Sequence, residues 1–167
     1  MAKISRGIVI TTSLYTNAFL PELLKSIEET QYPIYVHTNT EENNGWELAG
    51  IQAGKDNYDE FIHLMDTCVV KDISLFDKLF EIEGNVFLTE GKYHYMGKFV
   101  SDTLPPIPKI STKGEAIEME LRWFRDSCKY FRPNLPVHTD IFEEIHGQRR
   151  MLLENDYIKK WKGTFHI

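Results

Sequence analysis

The sequence predicts an α/β domain with a mainly parallel central sheet flanked by helices, and three features carry that expectation. Gly7-Ile8-Val9-Ile10-Thr11-Thr12 is continuous, β-branched and bounded by polar residues, the pattern of a strand buried on both faces. A helical stripe and a second strand follow it with short connections. A later helix with small residues on one face leads into an apolar strand that ends in a single carboxylate, Asp66.

The elements follow in order. Leu20, Leu23, Leu24 and Ile27 recur at helical spacing, Pro21 falls where a first turn tolerates it, and Thr30-Gln31-Tyr32-Pro33 ends the helix. Ile34-Tyr35-Val36-His37 reads as the second strand, running into a polar loop from Thr38 to Asn44. Strand, helix and strand so joined form a βαβ unit, in which parallel pairing is expected. Trp46, Ala49, Gly50 and Ala53 share one helical face, whose small residues let the helix axis lie near the sheet, and Gly54 fits a C-cap. Phe61 to Met65 is the third strand. Ile73 to Phe80 reads as a helix with Leu75, Phe76 and Leu79 on its apolar side.

Asn85-Val86-Phe87-Leu88 and Tyr93-His94-Tyr95-Met96 read as strands around a Glu90-Gly91 turn. The prolines of Leu104-Pro105-Pro106-Ile107-Pro108 remove donors and fix the backbone, so this stretch is a loop. Ile117, Leu121, Phe124 and Cys128 mark a helix from about Gly114 to Tyr130. A final helix is expected from Asp140, with Asp140 and Glu143 at capping-box spacing, to about Asp156. The composition changes after Val100, but no internal repeat, low-complexity segment or domain boundary divides residues 1–167, which are read as a single domain.

Bulk composition narrows the function classes. A chain of 167 residues with 42% hydrophobic and 13% aromatic content builds a real core. A formal charge of −6 argues against non-specific binding to DNA or an anionic membrane, while leaving room for a local basic groove. Cys68 and Cys128 are too few for a disulfide framework, and the first apolar run is too short for a signal peptide or a membrane span. A cytoplasmic protein without a membrane span is expected. P-loop, nucleophile-elbow, Cys-x-x-Cys and His-x₃-His patterns do not occur.

Asn44, Gly45, Ala49, Gly50 and Gly54, followed by a strand ending in Asp66-Thr67-Cys68, resemble the nucleotide-sugar half of GT-A-fold glycosyltransferases of the family-2-like kind, in compact form. The match covers roughly Gly7 to Ile73. The resemblance implies a GT-A-like domain with a nucleotide-sugar-binding half over 1–73 and an acceptor side with a C-terminal tail over 74–167. It implies that Thr11, Thr12 and Ser13 line the nucleotide, that Asn39 contacts base or ribose, and that Asn44 shapes the same site. It further implies that Asp66 serves catalysis and holds a divalent ion, Mn²⁺ or Mg²⁺. Cys68 departs from the family, whose second aspartate of an Asp-x-Asp motif is a metal ligand. A thiol suits neither ion, because hard cations take oxygen. The family also brings a C-terminal histidine back to the metal with basic residues on the phosphates, which makes His166 a candidate ligand and Lys162 a candidate phosphate contact.

On the acceptor side, Glu115, Glu118 and Asp140 (with Glu143) are candidate bases for an acceptor hydroxyl. Each also reads as an ordinary acid in a helix's first turn, where the macrodipole favours it. Arg149 and Arg150 are candidate phosphate contacts, arginine presenting a planar fork of donors. The expected activity is transfer of a sugar from a nucleoside diphosphate sugar, a UDP-sugar, to an acceptor hydroxyl on a glycan, a protein or a modified nucleic-acid base. The alternatives are a non-catalytic nucleotide-sugar-binding module of the same fold and a sugar nucleotidyltransferase. Thr11-Thr12-Ser13-Leu14-Tyr15 lacks the Arg and Lys of the latter's glycine-rich loop.

Overall fold

A computed structural model of the chain describes residues 3–14, 19–40, 45–88, 96–122, 129–130, 150–154 and 156–162. The first strand, β1 (Ile4–Ser13), is buried from Gly7 to Thr12, as its unbroken apolar run requires. Helix α1 (Leu20–Ser26), with Pro21 in its first turn, leads to β2 (Ile34–Asn39), which pairs with β1 in parallel. Helix α2 (Trp46–Asn57) then carries the chain back past β1 to β3 (Tyr58–Met65), parallel to β1 on its other side. The expected βαβ unit is present, and the order of strands reverses at β1.

After β3 come β4 (Cys68–Val70) and α3 (Ser74–Glu81), then β5 (Val86–Phe87) and β6 (Gly97–Val100). A 3₁₀ turn over Ser101–Thr103, the proline loop, α4 (Lys113–Arg122) and β7 (Lys129–Tyr130) follow. The main sheet has six strands in the order β2-β1-β3-β6-β5-β7. Strand β6 runs antiparallel to both β3 and β5, whereas β5 and β7 are parallel. The sheet is therefore mixed, with its parallel part around β1. Strands β8 (Arg150–Glu154) and β9 (Ile158–Lys162) form a smaller antiparallel sheet with β4, in the order β4-β9-β8.

The period of two along the strands sends alternate residues to two apolar layers. Ile8, Ile10, Ile62 and Leu64 meet Leu23 and Ile27 beside α1 and Leu75, Phe76 and Leu79 of α3. Val9, Phe61 and Phe99 meet Leu48 and Ile51 of α2, with Ile107 and Ile110 of the proline loop and Met119 of α4 packed against them. A Cβ on Gly54 would come within 2.5 Å of the Phe61 ring, so a glycine is what lets α2 lie against β3. Lys98, inside β6, is fully buried, and its ammonium donates to the carbonyls of Ile82 and Gly84 just after α3. Among the described residues no helix is long and apolar enough to cross a membrane.

Two expectations are corrected. Residues 150–154 are a strand and not the end of a helix, because Arg150–Glu154 pairs antiparallel with β9. The helix expected over 114–130 is described over Lys113–Arg122 and does not extend to Tyr130, because Lys129–Tyr130 is a sheet strand beside β5; residues 123–128 lie outside the described residues. The strand expected at 93–96 falls mostly outside the described residues, at Tyr93 to Tyr95, as does the start of the expected final helix at Asp140; a strand is described next to it over Gly97–Val100, where Gly97 pairs with both His63 and Phe87.

Candidate functional site

In open α/β sheets ligands bind outside the carboxyl ends of the strands, where strand order reverses. Here that place lies at the ends of β1 and β3. Thr11 pairs with Met65 in the parallel register, so Thr12 and Asp66 are the next residues of the two strands. Thr12 Oγ1 donates to Asp66 Oδ2 at 2.7 Å, and both side chains are buried. The carboxylate is thus oriented by a hydroxyl of the central strand.

Two further groups meet there that sequence patterns did not single out. Lys160 of β9 is only 3% exposed, and its ammonium donates to the hydroxyl of Thr67. Glu47 stands in the first turn of α2. Burial raises its carboxyl above the ordinary range; the charge of Asp66 adds to this, and that of Lys160 opposes it. Glu47, Asp66 and Lys160 therefore share one electrostatic neighbourhood. Lys160 had a legible signal, since it lies two residues from Ile158 on a strand and so shares its face. Glu47 had none beyond its position at a helix start.

Cys68 turns the other way. Its thiol donates to the Met65 carbonyl at 3.0 Å, the residue is 1% exposed, and it belongs to the apolar layer of Ile10 and Leu64. Burial pushes the thiol up to about 12, with Asp66 adding to the shift and Lys160 opposing it. It is a protonated core residue.

The period of two also divides the Thr11-Thr12-Ser13 group. Thr12 joins Asp66, but Thr11 faces α2 and shares a 2.7 Å hydrogen bond with the buried His63 imidazole. Ser13 is half-buried and pairs in register with Asn39. Asn39 itself is a clamp on the start of α2. Its Oδ1 accepts from the Gly45 N–H at 3.2 Å and lies 3.2 Å from His37 Nε2, while its Nδ2 donates to the Trp46 carbonyl at 3.0 Å. The clamp holds Trp46 at a φ of 51°, a region that bulky residues avoid unless their surroundings impose it.

Glu115 is exposed and caps α4: its Oε2 accepts from the Ser111 N–H at 2.8 Å, while Thr112 Oγ1 accepts from the Glu115 N–H at 3.2 Å. The Ser111 N–H holds its carboxyl below the usual range. Glu118 is exposed on the same helix. Between the proline loop, α2 and β2 lies a groove of about 720 Å³, bordered by Tyr35, His37, Gln52, Asp56, Ile107 and Ile110. Arg150 and Lys162 are backbone partners in the β8–β9 register. Asn44, Asp140, Arg149 and His166 lie outside the described residues.

A divalent ion at Asp66 would need several oxygen ligands. Among the described residues no three histidine, cysteine or carboxylate side chains gather to hold a metal. Asp66 Oδ2 is engaged by Thr12, Cys68 is protonated in the core, and an ammonium stands beside them. Of the expected metal ligands, Asp66 is described and His166 lies outside the described residues. In comparisons with known proteins, no family model, no curated protein and no solved structure matches the chain.

Proposed function

We propose that the chain is a glycosyltransferase that moves a sugar from a nucleoside diphosphate sugar, a UDP-sugar, to an acceptor hydroxyl. The observation that carries this reading is the Thr12–Asp66 hydrogen bond at the reversal of strand order. It supplies a fixed, buried carboxylate where α/β sheets hold nucleotides. Asp66 would accept hydrogen bonds from donor hydroxyls in a geometry set before binding, and the transfer itself needs positive charge where the diphosphate departs. A base on the acceptor side takes the hydroxyl proton; Glu115, Glu118 and Asp140 are the candidates. The acceptor is a glycan, a protein or a hydroxylated nucleic-acid base.

A second reading, a nucleotide-sugar-binding module without turnover, has the Cys68 geometry in its favour, since the second position of the motif faces the core. Slow hydrolysis of the donor to free nucleoside diphosphate separates the two. A panel of nucleotide sugars in a thermal-shift assay identifies the donor, because a ligand of the native state raises the midpoint by mass action. Asp66→Ala should then abolish turnover while the protein remains folded. Equal turnover in mutant and parent would remove Asp66 from the site, and no midpoint shift with any donor would end the nucleotide-sugar reading.

A further inference from the structure

We propose that the Lys160 ammonium takes the place of a divalent cation beside Asp66, so that a nucleoside diphosphate is held through a charge built into the chain. The inference rests on the nucleotide-sugar reading. It is carried by how completely the fold determines where this ammonium goes. Strand β9 pairs antiparallel with β4, which sets Lys160 opposite Cys68, two residues beyond Asp66. Ile158, on the same face of β9, is fully buried in the layer of Ile10 and Leu64, so that face is turned inward. The ammonium ends on the hydroxyl of Thr67, the residue next to Asp66.

Burying an ammonium is costly unless carboxylates and hydrogen bonds compensate it, and a well-packed apolar residue would serve stability as well. Compensation is present here in the Thr67 hydroxyl that accepts from the ammonium and in Glu47, on which the same charge acts, with Asp66 next along the chain from Thr67. The arrangement has two consequences. With Lys160 in place, the two carboxylates do not present an uncompensated negative field to an approaching polyanion. A divalent ion approaching Asp66, by contrast, meets a fixed like charge. Lys98 shows another use of a buried lysine in this chain: its ammonium closes the backbone carbonyls of Ile82 and Gly84 just after α3.

Calorimetric titration of the full chain with UDP and, separately, with inorganic pyrophosphate tests the inference, each in excess EDTA and in MnCl₂. The expected result is equal affinity in the two buffers to within about twofold. Lys160→Gln should lose about tenfold or more and Lys160→Arg much less, which corresponds to one charged contact. Should Lys160→Gln prove unfolded by circular dichroism, Thr67→Val, which removes the anchoring hydroxyl at nearly constant volume, should weaken both ligands in its stead. Manganese EPR provides a readout apart from nucleotide binding: the parent should bind Mn²⁺ weakly, and Lys160→Gln more tightly. Binding of UDP by the parent only in the presence of Mn²⁺ would overturn the inference and leave the nucleotide-sugar reading standing. Lys160-dependent binding of pyrophosphate without binding of UDP would support the charge assignment and overturn the nucleotide-sugar reading. Absence of binding by either ligand in both buffers would overturn both.

Discussion

Gly50 of α2 sits so close over Thr11 of β1 that a Cβ at position 50 would stand 1.7 Å from Thr11 Oγ1. The same Cβ would be 3.1 Å from His63 Nε2, so the glycine covers the Thr11–His63 hydrogen bond directly. Gly50 is therefore a packing position: it lets α2 lie directly over two buried polar groups.

Gly50→Ala should destabilise the protein by about 1–3 kcal/mol, the usual range for overpacking a close contact. Thr11→Ala in the same chain should recover part of that loss, because the hydroxyl is what the new methyl meets. Urea titrations of the parent, both single variants and the double variant measure the coupling. Strictly additive effects would show that the two residues do not press on one another.

Asn39→Asp keeps an oxygen for the Gly45 N–H but sets a carboxylate against the Trp46 carbonyl, where the amide donated. A cost of about 1–3 kcal/mol is expected for the lost donor and the exposed acceptor. Faster hydrogen exchange should be confined to the first turn of α2. An unchanged exchange pattern there would mean that Asn39 does not hold the helix start.

Lys98→Met preserves length and removes the donor to the carbonyls of Ile82 and Gly84. Two partly buried acceptors then lose a partner, and a loss of about 1–3 kcal/mol is expected after relief from ammonium burial. Stability equal to or above the parent in urea would show that the ammonium is not needed to close the chain after α3.

The Cys68 thiol, raised from its ordinary value of 9.0 to about 12 by burial, stays protonated in the folded protein at neutral and mildly alkaline pH. In a Cys128→Ser background its reaction with iodoacetamide at pH 8 should be slow, and should accelerate sharply in urea, since the thiolate is the nucleophile. The sign of the stability effect follows. A folded-state pKa above the unfolded one means that the contribution is full below pH 9.0 and is lost as pH climbs towards 12. Tyr32, raised from 10.0 to about 12 by burial and by donating to Asp77, adds to the same alkaline loss. Native Cys68 reacting as fast as the unfolded chain would contradict the core placement.

Local pattern determined what depends on neighbours along the chain. The unbroken β-branched run of β1, the apolar stripe of α1 and the carboxylate after β3 were each readable from spacing, and each stands where spacing puts it. The inward face of α2 was not: Leu48, Gly50, Ile51 and Gly54 are buried there, whereas Trp46, Ala49 and Ala53 of the expected small face are only partly buried. The segment 150–154 was not readable, because five residues are too few to show a period and a strand there exists only through its pairing with β9. Thr11 and Thr12 look alike in sequence; only the two faces of the sheet send one to His63 and the other to Asp66. Lys160 reaches Thr67 across 93 residues of chain. That contact is set by the antiparallel register of β4 and β9, a long-range choice made by burying Ile158 beside Val70 and Cys68, and no local spacing encodes it.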